Sequence, residues 1–117
     1  MKLADIIQTL SLEELTPQLA DTADTEVTQG YASDLLSDVL AHAPAGGLLV
    51  TLQVHLNVIA VASHADLCGV IFASHRRPED EIIAKAAEEG IALYVSGDDT
   101  FDVVGRLYQL GIKGTAA

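Results

Sequence analysis

Apolar positions recur along this chain in two rhythms, one helical and one of short unbroken runs. Leu3, Ile6, Ile7 and Leu10 fall at helical spacing and predict a short first helix. Ser11-Leu12-Glu13-Glu14 has the form of a capping box, although Pro17 limits any helix there. From Pro17 to Gly30 the chain is polar and rich in Thr and Asp, which predicts a connector with one short strand near Val27. Ser33 or a neighbour then caps a helix with an inward stripe of Leu35, Leu36, Val39 and Leu40, ending before Pro44 and Gly46-Gly47.

Short apolar runs alternate with helices through the rest of the sequence. Leu48 to Gln53 predicts a buried strand. In Asn57 to Leu67, Val58, Ile59 and Val61 favour a strand, whereas an Asn57 cap and alanines at 60, 62 and 65 favour a helix, and a helix is taken. Gly69 to Ala73 is a second buried strand. Pro78 opens a helix through Glu89 with Ile82, Ile83, Ala86 and Ala87 inward, and Gly90 ends it. Ile91 to Val95 is a third strand. Asp99 or Thr100 caps a last helix with Phe101, Val104, Leu107 and Tyr108 on one face, stopped by Gly111. Strands alternating with helices predict a parallel sheet covered on both sides, so the fold class is α/β, a three-layer α/β/α sandwich with a mainly parallel sheet.

Composition narrows the function. The chain's 117 residues are the size of one domain, half of them hydrophobic, which argues against disorder. Seventeen acidic residues against six basic give a formal charge of −11, which repels phosphate backbones and anionic lipid, so neither nucleic acid nor membrane is an expected partner. The acidity serves solubility or presents a negative face to a basic partner protein. Cys68 is the sole cysteine and reads as a small core residue; a disulfide framework is excluded and a reducing compartment expected. Asp5 interrupts any signal-peptide core, and no apolar run reaches membrane-spanning length, so the cytoplasm is the expected location.

The order strand, Arg77-Pro78, acidic helix, Gly90-Ile91, strand, Asp99-Thr100-Phe101 resembles a DRTGG domain, and with it the N-terminal domain of HPr kinase/phosphorylase. Gly30-Tyr31-Ala32-Ser33-Asp34-Leu35-Leu36-Ser37-Asp38-Val39, with Thr51-Leu52-Gln53, His55 and Asn57-Val58, is similar to stand-alone members, so the likeness covers roughly residues 26 to 112 of a single domain, 1–117. The family's Asp-Arg element falls near Val54-His55 and its Thr-Gly-Gly element near Ala73-Ser74-His75, so both elements behind its name are replaced. The resemblance implies a non-catalytic regulatory or interaction domain. Stand-alone members are associated with iron-only hydrogenase or related redox gene clusters, which implies an accessory role and a redox-enzyme partner. Related domains are often found paired, and a homodimer is expected.

No catalytic machinery is legible. A kinase needs a phosphate cradle, and no G-x-x-x-x-G-K-[ST] occurs. His42, His55, His64 and His75 form no H-E-x-x-H pair, Cys68 has no second thiol nearby, and no serine sits in a G-x-S-x-G elbow, so no metal, cofactor or nucleophile is expected. Polar residues should instead gather where parallel strands end. After the strand near Val27 come Gln29, Gly30, Tyr31 and Ser33; after the next, Gln53, His55 and Asn57; later, His75, Arg76 and Ser96. These ten are the candidate ligand-binding residues, for a nucleotide or other anionic metabolite at helix N-termini. Against that stands a plainer reading, in which Ser33, Asn57, Asp99 and Thr100 satisfy free helix amides, and Arg77 pairs with Glu79 or Glu81.

Overall fold

Each central strand divides its side chains between two cores, as the two-residue period of a pleated sheet requires. Leu48, Val50, Ile71, Ala73, Ala92 and Tyr94 enter one core, and Leu49, Val70, Phe72, Leu93 and Val95 the other. Because both faces are covered, the strands read as continuous apolar runs and not as alternation. The structure is a computed structural model, and it describes every residue except Ala20, Asp21, Ala23, Ala116 and Ala117.

Among the described residues the elements run α1 (Leu3–Thr9), β1 (Glu13–Glu14), β2 (Gly30–Ala32), α2 (Leu36–His42), β3 (Leu48–Thr51), α3 (Asn57–His64), β4 (Gly69–Phe72), α4 (Asp80–Glu89), β5 (Leu93–Val95) and α5 (Thr100–Gln109). The sheet order is β1-β5-β4-β3-β2, parallel throughout except that β1 lies antiparallel to β5. Strands β2 to β5 therefore step across the sheet in one direction. Right-handed crossovers then place α2, α3 and α4 on one face, where Val39, Val58, Ile59, Ala62, Ile82 and Ala86 pack. Leu3, Ile6, Val103 and Leu107 of α1 and α5 cover the other. This is the three-layer α/β/α sandwich, with a mainly parallel sheet.

Several local expectations give way to tertiary contacts. Glu13-Glu14 is an edge strand and not a capping box, because Ser11 turns the chain with φ 53° and Leu15 N–H reaches the Leu93 carbonyl. The first parallel strand starts at Gly30 and not near Val27, whose side chain is buried in the α1 layer. Leu35 and Leu40 are exposed, and α2 buries Val39 alone, because the helix sits at the edge of its layer beside the outermost strand. Asn57 does not cap α3. It is the first helical residue, and its N–H donates to His55 Nδ1 instead. Asp99 caps α5 by accepting from Asp102 N–H, while the Thr100 hydroxyl is buried without a partner among the described residues. Phe101, Val104 and Tyr108 lie on the water side of α5, which buries Val103 and Leu107.

Candidate functional site

Thr51 closes β3 fully buried, and its hydroxyl organises the turn that follows. It donates to Asp34 Oδ1 at 3.1 Å and accepts from Gln53 N–H at 3.0 Å, while Leu52 N–H donates to the same Asp34 oxygen at 2.7 Å. Asp34 thus ties the exit of β2 to the exit of β3. The Gln53 side chain accepts from His55 N–H, and the His55 ring from Asn57 N–H. Three successive side-chain-to-backbone bonds give a turn with little freedom.

Across from this turn, α4 begins after Pro78, and between them lies a groove of about 740 Å³. Gln53, Val54, His55 and Leu56 form one wall; Arg77, Glu79, Glu81, Ile82 and Lys85 form the other. Val54, Leu56 and Ile82 offer apolar surface, and Arg77 and Lys85 offer positive charge. Both cations have acidic neighbours: Arg77 is ion-paired with Glu13, and Lys85 stands 3.9 Å from Glu89. Arg77's partner is thus an edge-strand carboxylate 64 residues away and not Glu79 or Glu81, because β1 runs back beside β5.

A second feature lies at the neighbouring strand ends. The helix after β4 covers one face and the helix after β5 the other, so the chain's exits diverge, the arrangement in which open α/β sheets form a crevice. Here the Ser74-His75 turn fills it. Ser74 N–H donates to the Asp98 carbonyl and His75 N–H to the Ser96 carbonyl, and a Cβ built on Gly97 would meet the His75 ring at 2.9 Å. Both turn residues are left-handed, with φ 58° and 57°. Glycine adopts this backbone shape freely, whereas serine and histidine take it only under strain.

The ten candidates therefore do not converge. Gln53 and His55 line the groove, whereas Asn57, the first residue of α3, does not. His75, Arg76 and Ser96 belong to the β4–β5 crevice, where Ser96 is buried and Arg76 is exposed with no ion pair among the described residues. Gln29 and Gly30 are at the opposite edge, a correction that follows from the strand beginning at Gly30, paired with Leu48 at the start of β3. Tyr31 is within β2, and Ser33 forms a local turn in which its hydroxyl accepts from Leu35 N–H. Residues that the strand-end argument passed over complete the groove: Val54, Leu56, Glu79, Glu81, Ile82 and Lys85. A signal for the α4 wall was present, since Glu81 and Lys85 share one flank of a helix at i, i+4.

Ionisation in this region is set by local contacts. Hydrogen bonding from Ser33, then from Tyr31, holds the Asp38 carboxyl below the ordinary carboxylate range, with His42 adding to it. The Tyr31 phenol donates to both Asp38 oxygens, at 3.0 and 2.9 Å, and that bond pushes its own pKa up. Burial pushes the Cys68 thiol up to about 11, which leaves it protonated and unreactive at neutral pH. Among the described residues, no group of three His, Cys, Asp or Glu side chains is placed to hold a metal, and no helix is long and apolar enough to cross a membrane.

Fold and groove together define an α/β domain with a ligand-sized depression at the carboxyl edge of its sheet. The same fold occurs in the crystal structure of the CBS and DRTGG domains of the regulatory region of Clostridium perfringens pyrophosphatase, complexed with its activator diadenosine tetraphosphate, at a TM-score of 0.71 and 18% identity. The alignment takes in 95% of this chain and 47% of that one, so the chain spans about half of that regulatory structure. No protein-family model matches the chain, and no curated protein sequence does.

Proposed function

We propose that this chain is a non-catalytic regulatory domain that senses a small anionic ligand, of nucleotide type, in the groove between the β3–α3 turn and α4. The observation that carries the reading is the groove itself, where apolar surface from Val54, Leu56 and Ile82 lies beside Arg77 and Lys85. That pairing suits a ligand with a flat apolar part and a charged end. The pyrophosphatase regulatory region, which shares the fold, binds a nucleotide activator, and this favours sensing over chemistry. Three of the four histidines point the same way: His55 Nδ1 accepts a backbone N–H, the His75 ring packs on Gly97, and His42 pairs with Asp38. Each of these three has a structural task.

Arg77 supplies a means of response. Its ion pair with Glu13 is half exposed on both sides, and such a pair is worth under about 1 kcal/mol. A ligand anion that takes the guanidinium releases Glu13, and with it one end of β1, the short edge strand. Binding in the groove is thereby coupled to the N-terminal edge of the sheet. The groove's residues offer nothing that favours the redox-enzyme partner implied by the family resemblance over a small ligand.

Titration calorimetry with diadenosine tetraphosphate, ATP and inorganic phosphate tests the reading. At least one nucleotide should bind saturably, and Arg77→Gln should weaken it by about tenfold or more, the usual effect of removing one charged hydrogen-bonding group. Arg76→Gln should leave it nearly unchanged. Loss with Arg76→Gln and not Arg77→Gln would move the ligand to the β4–β5 crevice, and no saturable binding by any probe would overturn the reading.

A further inference from the structure

The turn after β3 fixes more than its own backbone. Gln53 and His55 both line the groove, and each commits one end of its side chain to a backbone N–H. Gln53 Oε1 accepts from His55 N–H at 3.2 Å, and His55 Nδ1 accepts from Asn57 N–H at 3.1 Å. A backbone N–H only donates, so the atom that faces it must be an acceptor. For Gln53 this decides which end of the amide is the carbonyl oxygen, and for His55 it leaves Nδ1 without a proton. The neutral ring therefore carries its proton on Nε2.

The ends left free are both donors. Among the described residues neither the Gln53 NH2 group nor the His55 Nε2–H finds a protein acceptor. The α4 wall is built differently. Arg77 is ion-paired with Glu13, Lys85 stands 3.9 Å from Glu89, and Glu79 and Glu81 add acceptors of their own. On that wall each cation has a carboxylate nearby, whereas the turn wall offers donors for which no protein group competes.

Taking the groove as the ligand site, on which this step rests, we infer that Gln53 and His55 determine its specificity: they form an uncharged donor pair, oriented by the turn, that takes the acceptor-only part of the ligand, the oxygens of its phosphate chain. A group that donates, such as the amino edge of a base, meets no acceptor on this wall and is directed to Glu79 and Glu81 on the other. Both side chains are held before the ligand arrives, so little rotamer freedom is lost when they bind it. The turn's hydrogen bonds thus set the polarity of the site as well as its shape.

Two-bond proton–nitrogen correlation spectra of the ligand-free chain, at mildly alkaline pH, read the His55 tautomer directly, its signal assigned by its absence from His55→Asn. The ring should hold one tautomer, protonated at Nε2. A proton on Nδ1, or an even exchange between the two nitrogens, would overturn the inference whatever binds. Titration calorimetry with diadenosine tetraphosphate, ATP, GTP and UTP then tests the donors. His55→Asn puts an oxygen where Nδ1 stands and keeps the bond to Asn57, but its amide nitrogen falls short of the Nε2 position. Gln53→Glu keeps the oxygen that accepts from His55 N–H and replaces the free donor by a second oxygen. Both variants should melt close to the wild type, while His55→Asn weakens nucleotide binding about fivefold and Gln53→Glu about tenfold or more. His55→Asn adds no charge, so its loss cannot arise from general repulsion. The loss should be equal for every nucleotide that binds, because phosphate is what they share; a loss confined to one base would overturn the assignment to phosphate. Nucleotide binding that both substitutions leave intact would overturn the donor pair alone and spare the groove, whereas a wild type that binds no nucleotide saturably would remove both.

Discussion

Replacing Thr51 by valine removes one hydroxyl from the base of the groove wall and keeps the shape of the side chain. Thr51 is fully buried, and its hydroxyl has two partners, the exposed Asp34 carboxylate and the half-buried Gln53 N–H, each of which loses one bond. Each bond contributes about 1 kcal/mol net; the Asp34 term is kept at that level because the carboxylate is exposed and its charge is screened. The added methyl returns less than about 1 kcal/mol through burial. The net loss should be about 1.5 kcal/mol, which for a chain of this length lowers Tm by about 6 °C. Urea unfolding of Thr51→Val, alone and in an Asp34→Ala background, measures it. In that background the loss should shrink by about 1 kcal/mol, since the two residues act through one bond. A loss below about 0.5 kcal/mol in the wild-type background, or the same loss in both, would refute the view that Thr51 and Asp34 jointly hold the turn.

Two further outcomes follow from the same geometry. Asp38's carboxyl lies below its unfolded value, so its contribution to stability is fully present above that value, near pH 4, and drains away as pH falls through the lower native one. Asp38→Asn should therefore flatten the acid limb of a plot of urea midpoint against pH, and an unchanged limb would count against the Ser33–Tyr31–Asp38 contacts. Ser74→Gly should stabilise the protein by about 0.5 to 1 kcal/mol, because φ 58° is strained for serine and free for glycine. A fall in thermal midpoint would contradict the left-handed turn.

Much of the architecture was legible in the one-dimensional pattern. The runs at 48–51, 69–72 and 93–95 are strands buried on both faces, and such strands need a continuous apolar sequence whatever their neighbours. Gly90 closes α4 in the left-handed conformation, and Asp99 caps α5, both signals carried by a single residue's chemistry. The ambiguous stretch from Asn57 is a helix, its alanines outweighing Val58, Ile59 and Val61, although Asn57 is its first residue and not its cap. These features are local, so sequence alone determines them.

What depends on distant neighbours was decided only by the tertiary structure. Glu13-Glu14 is a strand because β5 is beside it, and Arg77 finds its carboxylate there and not on its own helix. Gln29 and Gly30 were placed at the wrong end of a strand by a shift of a few residues, which in a parallel sheet is enough to move a side chain from the carboxyl edge to the opposite one. On α5 the periodicity of apolar residues marked an arc wider than any single surface covers. Sequence determined that Phe101, Val104 and Tyr108 are apolar and share a flank. Only packing against the sheet decided that Val103 and Leu107 turn inward and the other three face water, because a helix of given amphipathicity can roll to bury either edge of its apolar arc, and the shape of the layer beneath it selects one.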